Sequence, residues 1–396
     1  MATVLRQPPT GLRTLTLANV ITDAVRQANI QGDGLPIPSG FGVWPAATNI
    51  VTQSIPGALA TTGVTKAGDA AATLTKVTDA TAPFQASSAD VWLLDNSAGS
   101  TDATVDFNGN ATAAAYTGSV WAKKIAGSPT VSIEGGGTPT AISGTASYAR
   151  YAQSLTANLN DNLRVTAPAG AVVRFTAGQL ETGPIATPFV VTNGGTASRS
   201  AGRARVESQG LFTATQGAVF ARLSLPYANT ALPNVAPRVL QAALTGLFQV
   251  WVNGSGINIQ TQMSGGAAAV NATQALVWVA GGHIGVGAAW TATQLAASGN
   301  GAAQTTAVRS ELPTMLPTVD LFDSGDGARE LTGNALFAVL FKGAPTNADW
   351  ALLHSFGDTV PTLEQIRQLS PGSKPTLLIP AKTADAVLLP AYFGGS

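Results

Sequence analysis

Phe248-Gln249-Val250-Trp251-Val252-Asn253-Gly254-Ser255-Gly256-Ile257-Asn258-Ile259-Gln260 is the stretch that decides the fold. Phe248, Val250 and Val252 alternate with Gln249 and Trp251, stop at Asn253-Gly254, and the alternation resumes with Ile257 and Ile259 against Asn258 and Gln260. Successive side chains of a strand point to opposite faces, so a period of two broken by a Gly-containing turn predicts a β-hairpin with one face on a core. Working outward, Val219, Ala221, Leu223 and Leu225 alternate with Phe220, Arg222 and Ser224, and Ala335 to Phe341 is a continuous apolar run that suits a strand covered on both faces. In the first half, Ser88 to Leu94 runs into the turn signal Asp95-Asn96, and Tyr116 to Trp121 and Val172 to Phe175 read as further strands. Many short strands parted by Gly, Pro, Asn and Asp clusters predict an all-β chain of sandwich or barrel type. Two helical turns interrupt it near the end. Thr346 to Asp349 fits a capping box, placing Trp350, Leu353 and His354 on a short helix, and Leu363, Ile366 and Leu369 suggest another turn before Pro371.

The chain has 396 residues, enough for two or three domains. It is 45 % hydrophobic and only 11 % charged, so cores can form while the surface is drawn from Thr, Ser, Asn, Gln and Gly. Lys plus Arg is 21 and Asp plus Glu is 21, a formal net charge of zero with no basic stripe, which argues against a nucleic-acid partner. There are no cysteines, which excludes disulfides, thiolate catalysis and Cys-based zinc sites. The opening MATVLRQPPTGLRTLTLANV lacks the charged and apolar regions of a signal peptide, and no run approaches the roughly 18 apolar residues of a membrane span, so membrane insertion is not expected.

Five segments are expected. Residues 1–40 form an N-terminal arm for attachment or oligomerisation, with Leu17, Val20, Ile21, Ala24, Val25 and Ala28 on one face of an amphipathic helix. Such a helix is marginal alone, so Leu17, Val20, Ile21 and Val25 are candidate assembly contacts. Residues 41–192 form a first β-sandwich, 193–200 a linker around Asn193-Gly194-Gly195, 201–368 a second sandwich in tandem (both jelly-roll-like), and 369–396 a C-terminal extension.

Several motifs go beyond pattern. The stretch Gly42 to Ser54, with Pro45-Ala46-Ala47-Thr48-Asn49 at its centre, resembles the opening of carbohydrate-binding-module-like domains in phage structural proteins. Tyr116-Thr117-Gly118-Ser119-Val120-Trp121-Ala122-Lys123 resembles an internal strand of that family, and Gly178-Gln179-Leu180-Glu181-Thr182-Gly183-Pro184-Ile185-Ala186-Thr187-Pro188-Phe189-Val190 its closing segment, in the same order and spacing. The second half is similar to a concanavalin-like, laminin-G-like domain through Phe322 to Gly333 and through Gly343-Ala344-Pro345-Thr346-Asn347-Ala348-Asp349-Trp350. The resemblance covers roughly residues 40–360. It implies a virion surface protein of a tailed phage and brings no catalytic residues with it.

Chemistry-bearing residues are sparse. His283 and His354 are the two histidines, and no Gly-x-Ser-x-Gly elbow accompanies them, so ordinary structural roles are expected. Gly281-Gly282-His283-Ile284-Gly285-Val286-Gly287 lacks the Lys of a phosphate loop and reads as a tightly packed strand. Asp106-Phe107-Asn108-Gly109-Asn110 starts like a calcium loop but has Ala111 and Thr117 where Gly and Glu are needed, and Asp323 and Asp326 flank a turn; no cofactor or metal is expected, and calcium is left open. Among the seven tryptophans, Trp121 and Trp251 read as core, while Trp44 and Trp290 are candidates for stacking on a glycan.

The expected function is a non-enzymatic structural component of a tailed-phage virion, of tail-fibre or baseplate type. It would be exposed on the particle surface and made in the host cytoplasm. Its partners would be other virion proteins held through the arm, copies of itself, with a trimer favoured, and a host-surface glycan. A capsid decoration or head-fibre protein without a receptor role shares every one of these features. A capsular polysaccharide depolymerase would instead call for clustered carboxylates, and Asp95, Asp102 and Asp106 are scattered.

Overall fold

The computed structural model describes most of residues 41–388; outside it lie residues 1–40, 44–45, 84–88, 159–160, 200–203, 208–212, 233–236, 244–247, 262–269, 310–311, 313–317, 323–330, 381–386, 389–396 and a few single positions. The arm helix, with Leu17, Val20, Ile21 and Val25, and the candidate Trp44 therefore fall outside the described residues, as do Asp323 and Asp326. Two compact units follow, one made of Ala46–Ser200 and the other of Ala201–Ser396 together with the strand Phe41–Val43.

The 46–200 unit is an antiparallel β-sandwich. One sheet runs, in spatial order, Ala149–Ala157, Ala114–Ala126, Val172–Thr182, Asp90–Asp95 and Thr73–Thr78; the other runs Val64–Gly68, Ala103–Phe107, Leu163–Ala167, Thr130–Ile133 and Gly136–Ala141. The inward residues of the two sheets, among them Trp92, Leu94, Val173 and Phe175 facing Val105, Phe107, Val131 and Val165, form one fully buried core. Trp92 stands edge-on to Phe107 at 5.3 Å and stacks on Phe175 at 5.7 Å, the offset arrangements that ring quadrupoles favour.

The unit is closed by a buried polar lock built from the motif residues. The strand Val172–Thr182 carries a bulge at Ala177-Gly178, where Ala177 has φ 56°. The bulge frees Gly178 to donate to Ser54 O and to accept from Asn49 Nδ2 at 3.1 Å. Asn49 also donates to Val190 O and accepts from Val51 N and Leu180 N, using its whole amide. Gln179 accepts from Val190 N and donates to the Glu181 carboxylate, which takes both the amide and the hydroxyl of Thr187. Asn49, Gln179 and Glu181 are all fully buried. Burying polar groups is tolerable only when every one is paired, and here opening and closing segments pair one another.

The 201–396 unit is a second sandwich with a helical layer. An eight-stranded sheet holds Thr305–Val308, Gln294–Gly299, His283–Trp290, Gly217–Ser224, Gly333–Phe341, Pro375–Pro380 and Val387–Leu388 in order, with Phe41–Val43 paired to the Gly333 end. A six-stranded sheet holds Ala204–Glu207, Thr318–Leu321, Arg238–Ala243, Phe248–Asn253, Gly256–Thr261 and Val270–Ala275. The hairpin pairs Val252 with Ile257 and Val250 with Ile259, as the alternation predicts. On the other face of the larger sheet, Ala218, Phe220, Phe337, Val339 and Phe341 pack against α1 (Asn347–Ser355) and α2 (Leu363–Arg367) through Trp350, Leu353, Ile366 and Leu369. This explains the continuous apolar run Ala335 to Phe341: Phe337, Val339 and Phe341 meet the helices, and Ala335, Ala338 and Leu340 are fully buried as well.

Three expectations on organisation change. The two sandwiches are not simply in tandem, because Phe41–Val43 pairs with Gly333–Ala335 and belongs to the 201–396 unit, so the first sandwich is inserted into the second. The 193–200 stretch is not a free linker. Asn193 bridges to Gln53 and Ala197–Arg199 pairs with Ala47–Asn49, so the two ends of the insertion run side by side. The 369–396 stretch is not a mere extension either, since Pro375–Pro380 adds to the main sheet beside Phe337–Phe341.

Candidate functional site

The glycine-rich strand has a plain structural cause. A β-carbon on Gly285 would meet His354 Nδ1 at 2.4 Å, and one on Gly287 would meet the Trp350 ring at 2.7 Å, so glycine at both places lets α1 lie down on the sheet. His354 sits edge-on to Phe220 at 5.0 Å, and its Nε2 lies 3.1 Å from the Ser298 hydroxyl, which itself reaches Ala302 O. Burial, with Arg222 nearby, pushes the imidazole down to about 4, and Nδ1 has no hydrogen-bond partner among the described residues, which suits a neutral ring protonated on Nε2.

His283 opens its strand as predicted and meets Asp358, just beyond α1, at 2.5 Å. Arg222 from the neighbouring strand reaches the other oxygen of Asp358 at 2.9 Å. Burial works against the Asp358 carboxylate, but His283 and Arg222 outweigh it and hold it below the usual carboxylate range. Arg222 and Asp358 form a surface ion pair to which His283 is hydrogen-bonded.

Between α1 and α2 the chain leaves a half-open pocket of about 430 Å³, lined by Leu352, Ser355, Phe356, Thr359, Gln365 and Gln368. Two capping boxes create it. Thr346 and Asp349 start α1, Thr362 and Gln365 start α2, and the short turn between them brings the end of the first helix against the second. Leu352 and Phe356 pack partly against the helical core and form the apolar side. Ser355 donates to Leu352 O, so its hydroxyl still has acceptor capacity, and Gln365 accepts from Thr362 N through its carbonyl oxygen, which leaves the donor side of its amide out of that bond. Sequence reasoning found both helices but not this pocket, although the second capping box, Thr362-Leu363-Glu364-Gln365, was there to be read.

The aromatic candidates resolve differently. Trp290 is not a stacking face: it is 1 % exposed and its indole N–H donates to Thr213 O at 2.8 Å. The Thr213–Gln216 turn beside it supplies that acceptor and covers the indole, a long-range contact that no local pattern shows. Trp121 is core as expected, whereas Trp251 is only half-buried, with the Arg238 guanidinium 5.5 Å from its ring centre.

Elsewhere in the 46–200 unit, Asp79 gathers Lys123, Arg174, Tyr148 and Thr81 around its carboxylate. Burial opposes the charge, but these donors outweigh it and depress the carboxyl; burial and the same carboxylate push the Tyr148 phenol up. Asp106, the first residue of the calcium-like loop, faces the Arg164 fork at 2.6 and 2.7 Å, and Arg164 also reaches Glu134. Asn108 Oδ1 accepts from Thr65, so two of the loop's would-be ligand side chains are engaged by protein. Among the described residues no three His, Cys, Asp or Glu side chains gather as metal ligands, and no helix is long and apolar enough to cross a membrane.

No protein-family model matches the chain, and no curated protein matches it in sequence. Solved structures similar to parts of it include a heptameric SAP-like pentraxin from Limulus polyphemus, at 14 % identity and TM-score 0.30, covering 46 % of this chain and 83 % of that one. Mouse laminin α1 domains LG4-5 match at 9 % identity and TM-score 0.28, covering 58 % and 83 %. A putative carbohydrate-binding protein from Bacteroides ovatus matches at 9 % identity and TM-score 0.27, covering 64 % and 79 %. All three likenesses are too distant to assign a family or a ligand, and the all-β sandwich class stands on this chain's own sheets.

Proposed function

We propose that the chain is a non-enzymatic structural subunit of a tailed-phage virion, presenting its β-sandwiches on the particle for adhesion to host-surface glycans or for particle stabilisation. The observation that carries this reading is the polar lock of the 46–200 unit. Asn49, Gln179, Glu181 and Thr187 all come from the motifs that resemble phage carbohydrate-binding-module-like domains, and all four are buried and spent on one another or on backbone. A motif kept whole to close a sandwich fits a likeness of scaffold, with no reacting group among its members. Repetition of the subunit, as a trimer or another closed oligomer, would turn weak single contacts into avidity.

Immunogold electron microscopy of intact particles, with antibody raised against residues 201–396, tests the reading. Gold at the tail tip or fibres supports host adhesion. Gold spread over the head makes the chain a decoration or head-fibre protein. Absence of the protein from purified particles refutes the virion reading.

A further inference from the structure

We infer that the pocket between α1 and α2 is a subsite for one neutral pyranose ring of a glycan, an inference that rests on the adhesive reading above and gives it an address. Its volume, about 430 Å³, falls in the range of roughly 300–1,000 Å³ that small-molecule sites occupy. Its lining pairs one aromatic ring with hydroxyls and amides. Phe356 is half-buried and, like Leu352, packs against the helical core, which holds it in place. An aromatic face is electron-rich and attracts the C–H side of a sugar ring, while Ser355, Thr359, Gln365 and Gln368 supply acceptors and donors for its hydroxyls.

The charge pattern narrows the ligand class. No lining residue is ionisable, so the pocket offers no cation for a phosphate or carboxylate and no anion for an amine. The nearest charges in sequence are paired elsewhere: Asp358 with Arg222 and His283, Glu364 with Arg367 at 3.3 Å. A neutral, polyhydroxylated ring with one apolar face matches this lining. The site also stands on two short helices anchored to the sheet through Trp350, Leu353, Ile366 and Leu369, which gives the rigidity a weak binder needs.

Saturation-transfer difference NMR on the full chain tests it, with methyl β-D-glucopyranoside, methyl β-D-galactopyranoside and methyl α-D-mannopyranoside as probes at millimolar concentration. The expected result is transfer to at least one of them, strongest on the C–H protons of one ring face. Phe356→Ala should weaken binding about tenfold, and Phe356→Tyr should retain it. Gln368→Ala removes an exposed rim amide that makes no hydrogen bond among the described residues, and should weaken binding even if Phe356→Ala fails to fold. No transfer from any probe, or transfer undiminished in Phe356→Ala and Gln368→Ala, overturns the assignment. Either result with gold still on the particle defeats this pocket alone, whereas absence from particles defeats the virion reading, whatever the probes do.

Discussion

Gly287 lies beneath the six-membered ring of Trp350, so close that a β-carbon there would stand 2.7 Å from the ring. Trp350 is 1 % exposed and its indole N–H also donates to the side-chain oxygen Oε1 of Gln304, so it has little room to move aside. Overfilling a packed site costs about 1–3 kcal/mol. Gly287→Ala should therefore lower stability by that amount, read as a reduced urea midpoint with an unchanged slope. An unaltered midpoint would mean that α1 docks more loosely than this contact implies.

Asp349 ties α1 to the chain beyond α2. Its carboxylate accepts from Thr346 N and hydroxyl, Ser370 N and hydroxyl, and the Ser373 hydroxyl. Burial works to raise its pKa, but the Ser370, Ser373 and Thr346 donors prevail and bring it down to about 2. A folded-state value below the unfolded one means that the stabilisation is complete above the ordinary carboxylate range and is lost as pH falls toward 2. The urea midpoint should thus drop between about pH 5 and 2, and the part due to Asp349, about 2 kcal/mol, should be missing from the pH profile of Asp349→Asn. Parallel profiles for the two proteins would remove Asp349 from this role.

The sequence already carried the class of fold and most of its elements. The hairpin at Phe248 to Gln260, the strand through Val219 to Leu225 and the capped helix at Thr346 are local features, set by alternation or by a cap, and each is where the pattern places it. What could not be read is long-range. Nothing local to Phe41–Val43 says that its partner lies at Gly333–Ala335, and nothing local to Trp290 says that Thr213 covers it. The pocket is of the same kind: Phe356 caps the end of α1 and Gln368 the end of α2, and only the turn between the helices brings them to one pocket.

His354 carries a prediction of its own. Desolvation, with Arg222 nearby, pushes its half-buried imidazole down to about 4, below the ordinary histidine value. The unfolded chain therefore takes up its proton first, and this residue's contribution to stability falls as pH drops from about 6.5 toward 4. In an NMR titration the ring protons of His354 should stay at their neutral shift through pH 6. Movement centred near 6.5 would show a solvated ring, in conflict with its seat against Phe220 and Gly285.

Asn49 sets the cost of opening the polar lock. Asn49→Ala would leave Gly178 O, Val190 O, Val51 N and Leu180 N without their side-chain partner, and unpaired buried groups make this worth about 2–4 kcal/mol. Asn49→Asp keeps the shape but turns a carboxylate oxygen toward two carbonyls, so it should be at least as damaging. Equal thermal midpoints for wild type and Asn49→Asp would show that the lock is not what closes this sandwich.

The insertion makes the last prediction topological. Ala47–Asn49 and Ala197–Arg199 are paired, so both ends of the 46–200 unit emerge together and that segment should fold cooperatively when expressed alone. The other unit does not survive the cut as well. A chain starting at residue 201 lacks Phe41–Val43 and leaves the Gly333–Ala335 edge unpaired on that side. Replacing 46–200 with a short Gly/Ser linker, with residues 1–45 retained, keeps that pairing. The linked chain should exceed 201–396 in stability by about 1–3 kcal/mol in urea unfolding. Equal stability would mean that the short strand adds nothing, and the two sandwiches would then be tandem in energy though not in connectivity.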